Sequence, residues 1–254
     1  MPPVRGDAAS ETTSEVSMQQ NRILTALVQR HPEARARLTR VDFVHGDLFG
    51  RPGEPIRHAV FPVSGMISIV VDLASGDAVE AAMVGFEGLI GGSAAFGSTE
   101  HVNSSFCQLP GTAYVMPAAE LSDIAMRDEI VRAMLFAHEQ FLMVQAQQTA
   151  ACNAKHHIMQ RLSTWLLRAK DATGASEMFL TQEFLAQMLG VQRASVSGFA
   201  GQLQDKDLIR YRRGRLSIMD EHGLSSQACE CHSKLAAFHR KLFRHDGEPL
   251  RDAG

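Results

Sequence analysis

At Pro117 the apolar pattern of this 254-residue chain changes period, so the segments on either side must fold differently. From 43 to 116 the sequence consists of short apolar or alternating runs, at 59–63, 66–73, 79–84 and 112–116, which is the spacing of strands. Gly46, Gly53, Gly65, Gly76, Gly85 and Gly111 fall between the runs at turn positions, and Asp77 after Gly76 suits a hairpin. Repeated short strands with such punctuation predict an antiparallel sandwich, jelly roll or barrel.

Beyond Pro117 the period is helical. Residues 118–126 read as a short helix with proline at its first turn. A longer helix follows, in which Ile130, Met134, Ala137, Phe141, Val144, Gln148 and Ala151 recur in alternating steps of four and three. That is a coiled-coil seam, and a second line through Val131, Leu135, Leu142 and Ala146 offers a separate face for packing at home. The seam predicts a parallel two-fold homodimer; the alternative is a helix that packs only on its own domain. A third helix over 156–170 carries Ile158, Leu162, Trp165, Leu166 and Ala169 on one face, with Gly174 beyond its end.

A net charge of −3 decides little, but its distribution is uneven. No Lys or Arg lies between Arg57 and Arg127, whereas Arg193, Lys206, Arg210, Arg212, Arg213 and Arg215 crowd one C-terminal stretch. A polyanion is attracted there and ignored by the sheet region, because neutralised phosphates release their condensed counterions. Residues 1–20, rich in Ser, Thr, Glu and Pro, read as a disordered tail without the apolar segment of a signal peptide. No apolar run approaches the roughly 18 residues of a membrane span, so a cytoplasmic protein with no membrane partner is expected. Cys107, Cys152, Cys229 and Cys231 do not form a disulfide framework and read as reduced thiols.

The basic stretch follows two helices joined by a sharp turn. Thr181 caps the first, with Leu180 and Leu185 placed as a hydrophobic staple, and Gly190 ends it in the left-handed conformation. The second runs from near Gln192 to about Asp205, with Ala186 small enough for a close helix crossing. Residues 208–213 and 215–219 are strand-like runs around Gly214, a hairpin whose tip is bracketed by Arg210, Arg212, Arg213 and Arg215. This is the order of a winged helix-turn-helix on double-stranded DNA. Gln192, Arg193, Ala194, Ser195 and Ser197 lie where a recognition helix enters the major groove, and Thr181 and the four wing arginines lie where phosphates run. Arg193 has the fork that reads a guanine edge.

Three segments carry a resemblance. They are Gly-Glu-Pro-Ile-Arg-His-Ala-Val-Phe-Pro-Val-Ser-Gly at 53–65, Met-Val-Gly-Phe-Glu-Gly at 83–88, and Leu-Thr-Gln-Glu-Phe-Leu-Ala-Gln-Met-Leu-Gly-Val-Gln-Arg-Ala-Ser-Val-Ser at 180–197. With them the chain, over about 21–231, resembles the Crp/Fnr regulators. The resemblance implies an α+β chain: an N-terminal antiparallel β jelly roll of cyclic-nucleotide-binding-like type, a long dimerisation helix and a C-terminal winged helix-turn-helix. Expected boundaries are a tail at 1–20, a sensor domain at 21–127, the dimer helix at 128–152, the DNA-binding domain at 153–232 and a C-terminal tail at 233–254. It also implies a non-enzymatic transcription regulator, with RNA polymerase as a further partner and an effector that the sequence does not name.

Two departures limit the likeness. Nucleotide-binding relatives hold the cyclic phosphate with an arginine after the Gly-Glu pair, and residues 88–105 contain none. Glu87, Gly88, Gly91 and Gly92 therefore read as a degenerate effector cassette without tight cyclic-AMP binding, since a buried phosphate without a cation is costly. Gly198 stands where well-known relatives carry a base-reading arginine. The family's cluster cysteines lie near the N-terminus, where this chain has none; Cys229, Cys231 and His232 give only a weak metal signature, and His156 and His157 point to different sides of a helix in surface or capping roles. No metal and no cofactor are expected. A cupin-like enzyme is disfavoured because His45, His58 and His101 form no His-x-His pair. The remaining alternative is a module that uses the dimer helix and basic wing for a protein or RNA partner.

Overall fold

In the computed structural model, which describes residues 18–243, the strand-period segment forms two facing antiparallel sheets. Strands β1 (Thr39–Phe43), β7 (Gly111–Pro117) and β3 (His58–Pro62) make one, in the order β1-β7-β3. Strands β2 (Leu48–Gly50), β6 (Ser104–Leu109), β4 (Met66–Asp72) and β5 (Ala78–Val84) make the other, in the order β2-β6-β4-β5. Val41, Phe43, Val60, Ile67, Val84, Cys107, Ala113 and Val115 fill the space between them.

Each sheet is also covered on its outer face, which is why several strands read as nearly continuous apolar runs. On β3, Val60 points to the opposite sheet, while Ala59 and Phe61 point to helices. Those helices are α1 (Arg22–Arg30), α2 (Ala118–Arg127) and α3 (Glu129–Lys155), packed through Leu24, Leu27, Leu121, Val131 and Leu135. Asp128 caps α3, accepting from the Ile130 N–H at 2.9 Å and from Arg30 Nε at 2.6 Å. Burial opposes its charge, yet Arg30, the Val131 and Ile130 amides and His31 hold its carboxyl well below the usual carboxylate range.

The outer face of the second sheet is covered by the C-terminal region. Met66, Val70, Ala78, Met83 and Leu109 share one apolar cluster with Leu162, Trp165 and Leu166 of α4 (Ile158–Thr173) and with the helices that follow. Glu80 lies buried in this joint, accepting from Trp165 Nε1 at 2.8 Å and from the Ser68 hydroxyl at 2.6 Å. Gln145 of α3 pairs with the Met83 backbone, donating to its oxygen at 3.1 Å and accepting from its N–H at 3.2 Å, and Arg168 donates to Gln145 Oε1 at 2.5 Å.

Two expectations are corrected. Residues 233–243 are no tail: α8 (Cys231–Leu242), which follows the short α7 (Glu221–Gln227), packs along α3, with Leu235 and Phe243 buried. That helix takes part of the face expected to be the dimer seam. Phe141 is only 7% exposed and lies against His239 with ring centroids 4.9 Å apart, Gln148 donates to Cys231 Sγ at 3.0 Å, and Met134 and Ala137 pack on the α1–α2 core. Ile130 and Val144 are half-buried. The exposed stripe of α3 lies one residue round, through Ala133, Phe136, Met143, Gln147 and Ala150 with half-buried Gln140 between, and Phe136 and Met143 are 53% and 55% exposed. The tail expected over 1–20 falls mostly outside the described residues; Met18 is buried and Asn21 caps α1.

Candidate nucleic-acid interface

Thr181 begins the reader as its sequence requires, its hydroxyl accepting the Phe184 N–H at 3.1 Å at the start of α5 (Gln182–Leu189). The helix ends at Gly190 with φ 61° and ψ 44°, and a three-residue turn leads into α6 (Arg193–Asp205). Leu185, Ala186, Leu189, Val196, Ala200 and Leu203 are buried in the shared core. Gln192, Arg193, Ala194, Ser197 and Gly198 are left on an exposed face, with Ser195 half-buried.

The wing is β9 (Ile209–Arg212) and β10 (Arg215–Ile218), turned by Arg213 and Gly214, both at positive φ. A third strand, β8 (Glu177–Phe179), pairs with β10 and was not foreseen, because Met178 is its one buried side chain. Tyr211 ties the wing to the helices: its hydroxyl donates to Leu180 O at 2.6 Å, and its N–H donates to Gln204 Oε1 at 2.8 Å.

Arg210, Arg212, Arg213 and Arg215 are all exposed. Arg212 and Arg215 stand directly opposite one another across the hairpin, a like-charge pairing that destabilises a sheet. Glu177, 2.9 Å from Arg215 Nη1, offsets only part of that. Folding gives no reason for the arrangement; an anionic partner does. Thr181, Gln182, Glu183, Arg193, Tyr211, Arg213 and Gly214 line one open groove, so the recognition helix and wing tip present cations to the same space. Arg193 is lightly held there, 3.8 Å from Glu183 with both side chains exposed, and such a pair contributes little. Tyr211, Gln182 and Glu183 are groove residues that sequence reasoning missed; Tyr211 alternates with the arginines, which was the available signal.

The cassette glycines serve packing. A Cβ on Gly88 would lie 2.3 Å from the His138 ring, and one on Gly91, at φ 84°, would lie 2.4 Å from His58 O. His138 Nε2 is 2.9 Å from Leu89 O, and burial lowers its pKa to about 4, so it is neutral. The Gly88 N–H donates to Gly85 O at 3.2 Å, and Asn21 Nδ2 donates to Gly88 O at 2.7 Å. Glu87 Oε1 accepts from Gly85 N–H at 3.1 Å, but Oε2 is buried without a partner, and burial raises the pKa to about 7. Gly92 lies beside Glu139. A phosphate here would meet the carboxyl groups of Glu87 and Glu139, and residues 88–105 supply no arginine.

Among the described residues, one group of three or more His, Cys, Asp or Glu side chains is close enough to share a metal ion: Cys152, His156, Cys229 and Cys231. This corrects two readings. His156 and His157 do cap α3 and α4, but His156 also faces thiols, and His232 is apart from the group, paired with Asp171 at 2.7 Å.

Residues 160–226 match the family model described as the Crp-like helix-turn-helix domain. A comparison with curated proteins finds no match. Among solved structures, the chain is similar to FixK2 from Bradyrhizobium japonicum, at 16% identity and TM-score 0.65 over 76% of this chain and 98% of that one. It is similar to a CRP-family transcriptional regulator from Thermus thermophilus, at 17% identity and TM-score 0.62 over 75% and 96%. It is also similar to the c-di-GMP-responsive global regulator CLP of Xanthomonas campestris, at 15% identity and TM-score 0.59 over 76% and 98%.

Proposed function

From a chain that has the Crp/Fnr regulator fold and carries a Crp-like helix-turn-helix domain, we propose a sequence-specific, DNA-binding transcription regulator that works as a homodimer on near-palindromic sites. The observation that carries this reading is the groove shared by Arg193 and Arg213 beside an exposed, like-charged hairpin. Arg193 reads a base edge with Gln192, Ala194, Ser195 and Ser197 around it. Thr181, Arg210, Arg212, Arg213 and Arg215 hold phosphates.

The partner protomer docks on α3 through the stripe centred on Phe136 and Met143, which extends through Phe96, whose ring lies 6.0 Å from that of Phe136. Two recognition helices then meet major grooves about one DNA turn apart. The jelly roll receives a signal other than cyclic AMP, a reading supported by the self-filled glycine loop and the unpartnered Glu87 oxygen. RNA polymerase is the partner that turns site occupancy into transcription.

Selection of bound fragments from random duplex DNA should return near-palindromes, with affinity falling steeply with salt. Arg193→Ala should cost about 1–3 kcal/mol at the selected site and relax one base position, measured by anisotropy. No sequence enrichment, or a salt-insensitive affinity, would remove the reading.

A further inference from the structure

We propose that Cys152, His156, Cys229 and Cys231 form a structural site for a single thiophilic divalent cation, zinc in chemical class. Cys152 lies on the last turn of α3 and His156 is its C-cap, whose N–H donates to Cys152 O at 3.0 Å, so the two stay side by side. Cys229 and Cys231 flank the start of α8, bringing the second pair to the first across 77 residues of chain. The separations are 3.5 Å between the sulfurs of Cys152 and Cys229 and 3.5 Å between Cys231 Sγ and His156 Nδ1, and all four ligand atoms lie within 4.8 Å of one another. A tetrahedral ion with Zn–S bonds of about 2.3 Å sets its sulfurs roughly 3.8 Å apart, which lies between the 3.5 Å of the closest sulfur pair and the 4.8 Å limit of the group. Two thiols 3.5 Å apart are not disulfide-bonded, and an iron–sulfur cluster, with sulfide between its irons, needs a wider spread of ligands.

A second observation points the same way. His156 turns Nδ1 toward the thiols while Nε2 lies 3.3 Å from Glu230 Oε2. A proton on Nε2 donated to that carboxylate leaves the Nδ1 lone pair free, the carboxylate–histidine arrangement that orients metal ligands. Around the sulfurs, Thr164 Oγ1 is 3.1 Å from Cys229 Sγ and Gln148 donates to Cys231 Sγ. Three thiolates with one divalent ion carry a net negative charge, and Arg161 and Arg168 line the small cavity beside them. That cavity, about 30 Å³, also touches Cys152 and Cys231 and has room for a water molecule beside them.

The site would pin the end of α3 to the start of α8 where the chain passes from the long helix into the reader. Its test does not depend on DNA binding. Full-length protein purified under reductant and stripped with a chelator should take up one cobalt(II) or zinc(II) per chain. Cobalt should give thiolate charge-transfer bands and the intense visible bands of a tetrahedral site. Cys231→Ser and Cys229→Ser should lose this spectrum, and Cys107→Ser, in the sheet core, should keep it. Glu230→Gln, on an exposed side chain, should retain the spectrum and weaken zinc binding about tenfold or more. It guards against misfolding of the cysteine variants. Absence of stoichiometric binding by the reduced wild type, equal affinity in Glu230→Gln, or iron with acid-labile sulfide in the isolated protein would overturn the proposal.

Discussion

Single ionisable groups set how the stability of this protein depends on pH. Glu87 has its pKa raised to about 7 because one carboxyl oxygen is buried without a partner. The stability it contributes is present at low pH, below the ordinary value of 4.5, and is lost as pH rises through about 7. Glu87→Gln should therefore be more stable than the wild type at pH 8 by about 1–2 kcal/mol and nearly equal to it at pH 5, as read by urea unfolding. His138 has the opposite slope. With its pKa lowered from 6.5 to about 4, it favours the fold above 6.5, and that contribution is lost as pH falls toward 4. Unfolding midpoints followed from pH 7 to pH 4 should decline, and less so in His138→Asn.

At the scale of helices and strands, Gly198 and Gly201 stand out because a Cβ at either meets nothing within 4 Å. Gly198→Ala should raise stability by about 1 kcal/mol, seen as a higher melting temperature, since only helix propensity changes. A fall in melting temperature would mean that the exposed face is already engaged. The register of α3 is tested by a contrast. Phe136→Glu with Met143→Glu should yield monomers in sedimentation with little loss of fold. Phe141→Ala should leave assembly intact and destabilise the protomer by about 2–4 kcal/mol, because its ring is buried against α8.

These same elements show what the sequence could reveal. Strands β3, β4, β5 and β7 were legible from their apolar runs, and α5 and α6 from Thr181 and Gly190. Strand β6 was hidden because Ser104, Ser105 and Gln108 are buried polar groups, with the Ser104 hydroxyl donating to Asp72, and such residues break the alternation that marks a strand. The exposed stripe of α3 lies one residue round from the line that the apolar spacing marks, because nothing local to it announces α8, whose Leu235 and His239 reach it from far along the chain. The cysteine cluster was invisible for the same reason: only the fold closes the distance between Cys152 and Cys229.

Taken whole, the molecule packs its helix-turn-helix lobe directly against the jelly roll. Phe184 of α5 places its ring 5.4 Å from that of His45 and 6.1 Å from that of Phe106, both on the jelly-roll side, and Gly190 sits against Val79. Any swing of the reader must therefore wet these surfaces, a penalty of about 25 cal/mol for each Å² of apolar area exposed. Release of the helix-turn-helix lobe and the first stage of melting then become the same event. Calorimetry should record one endotherm for both lobes, and a substitution such as Phe184→Ala should split it in two while making the reader easier to release.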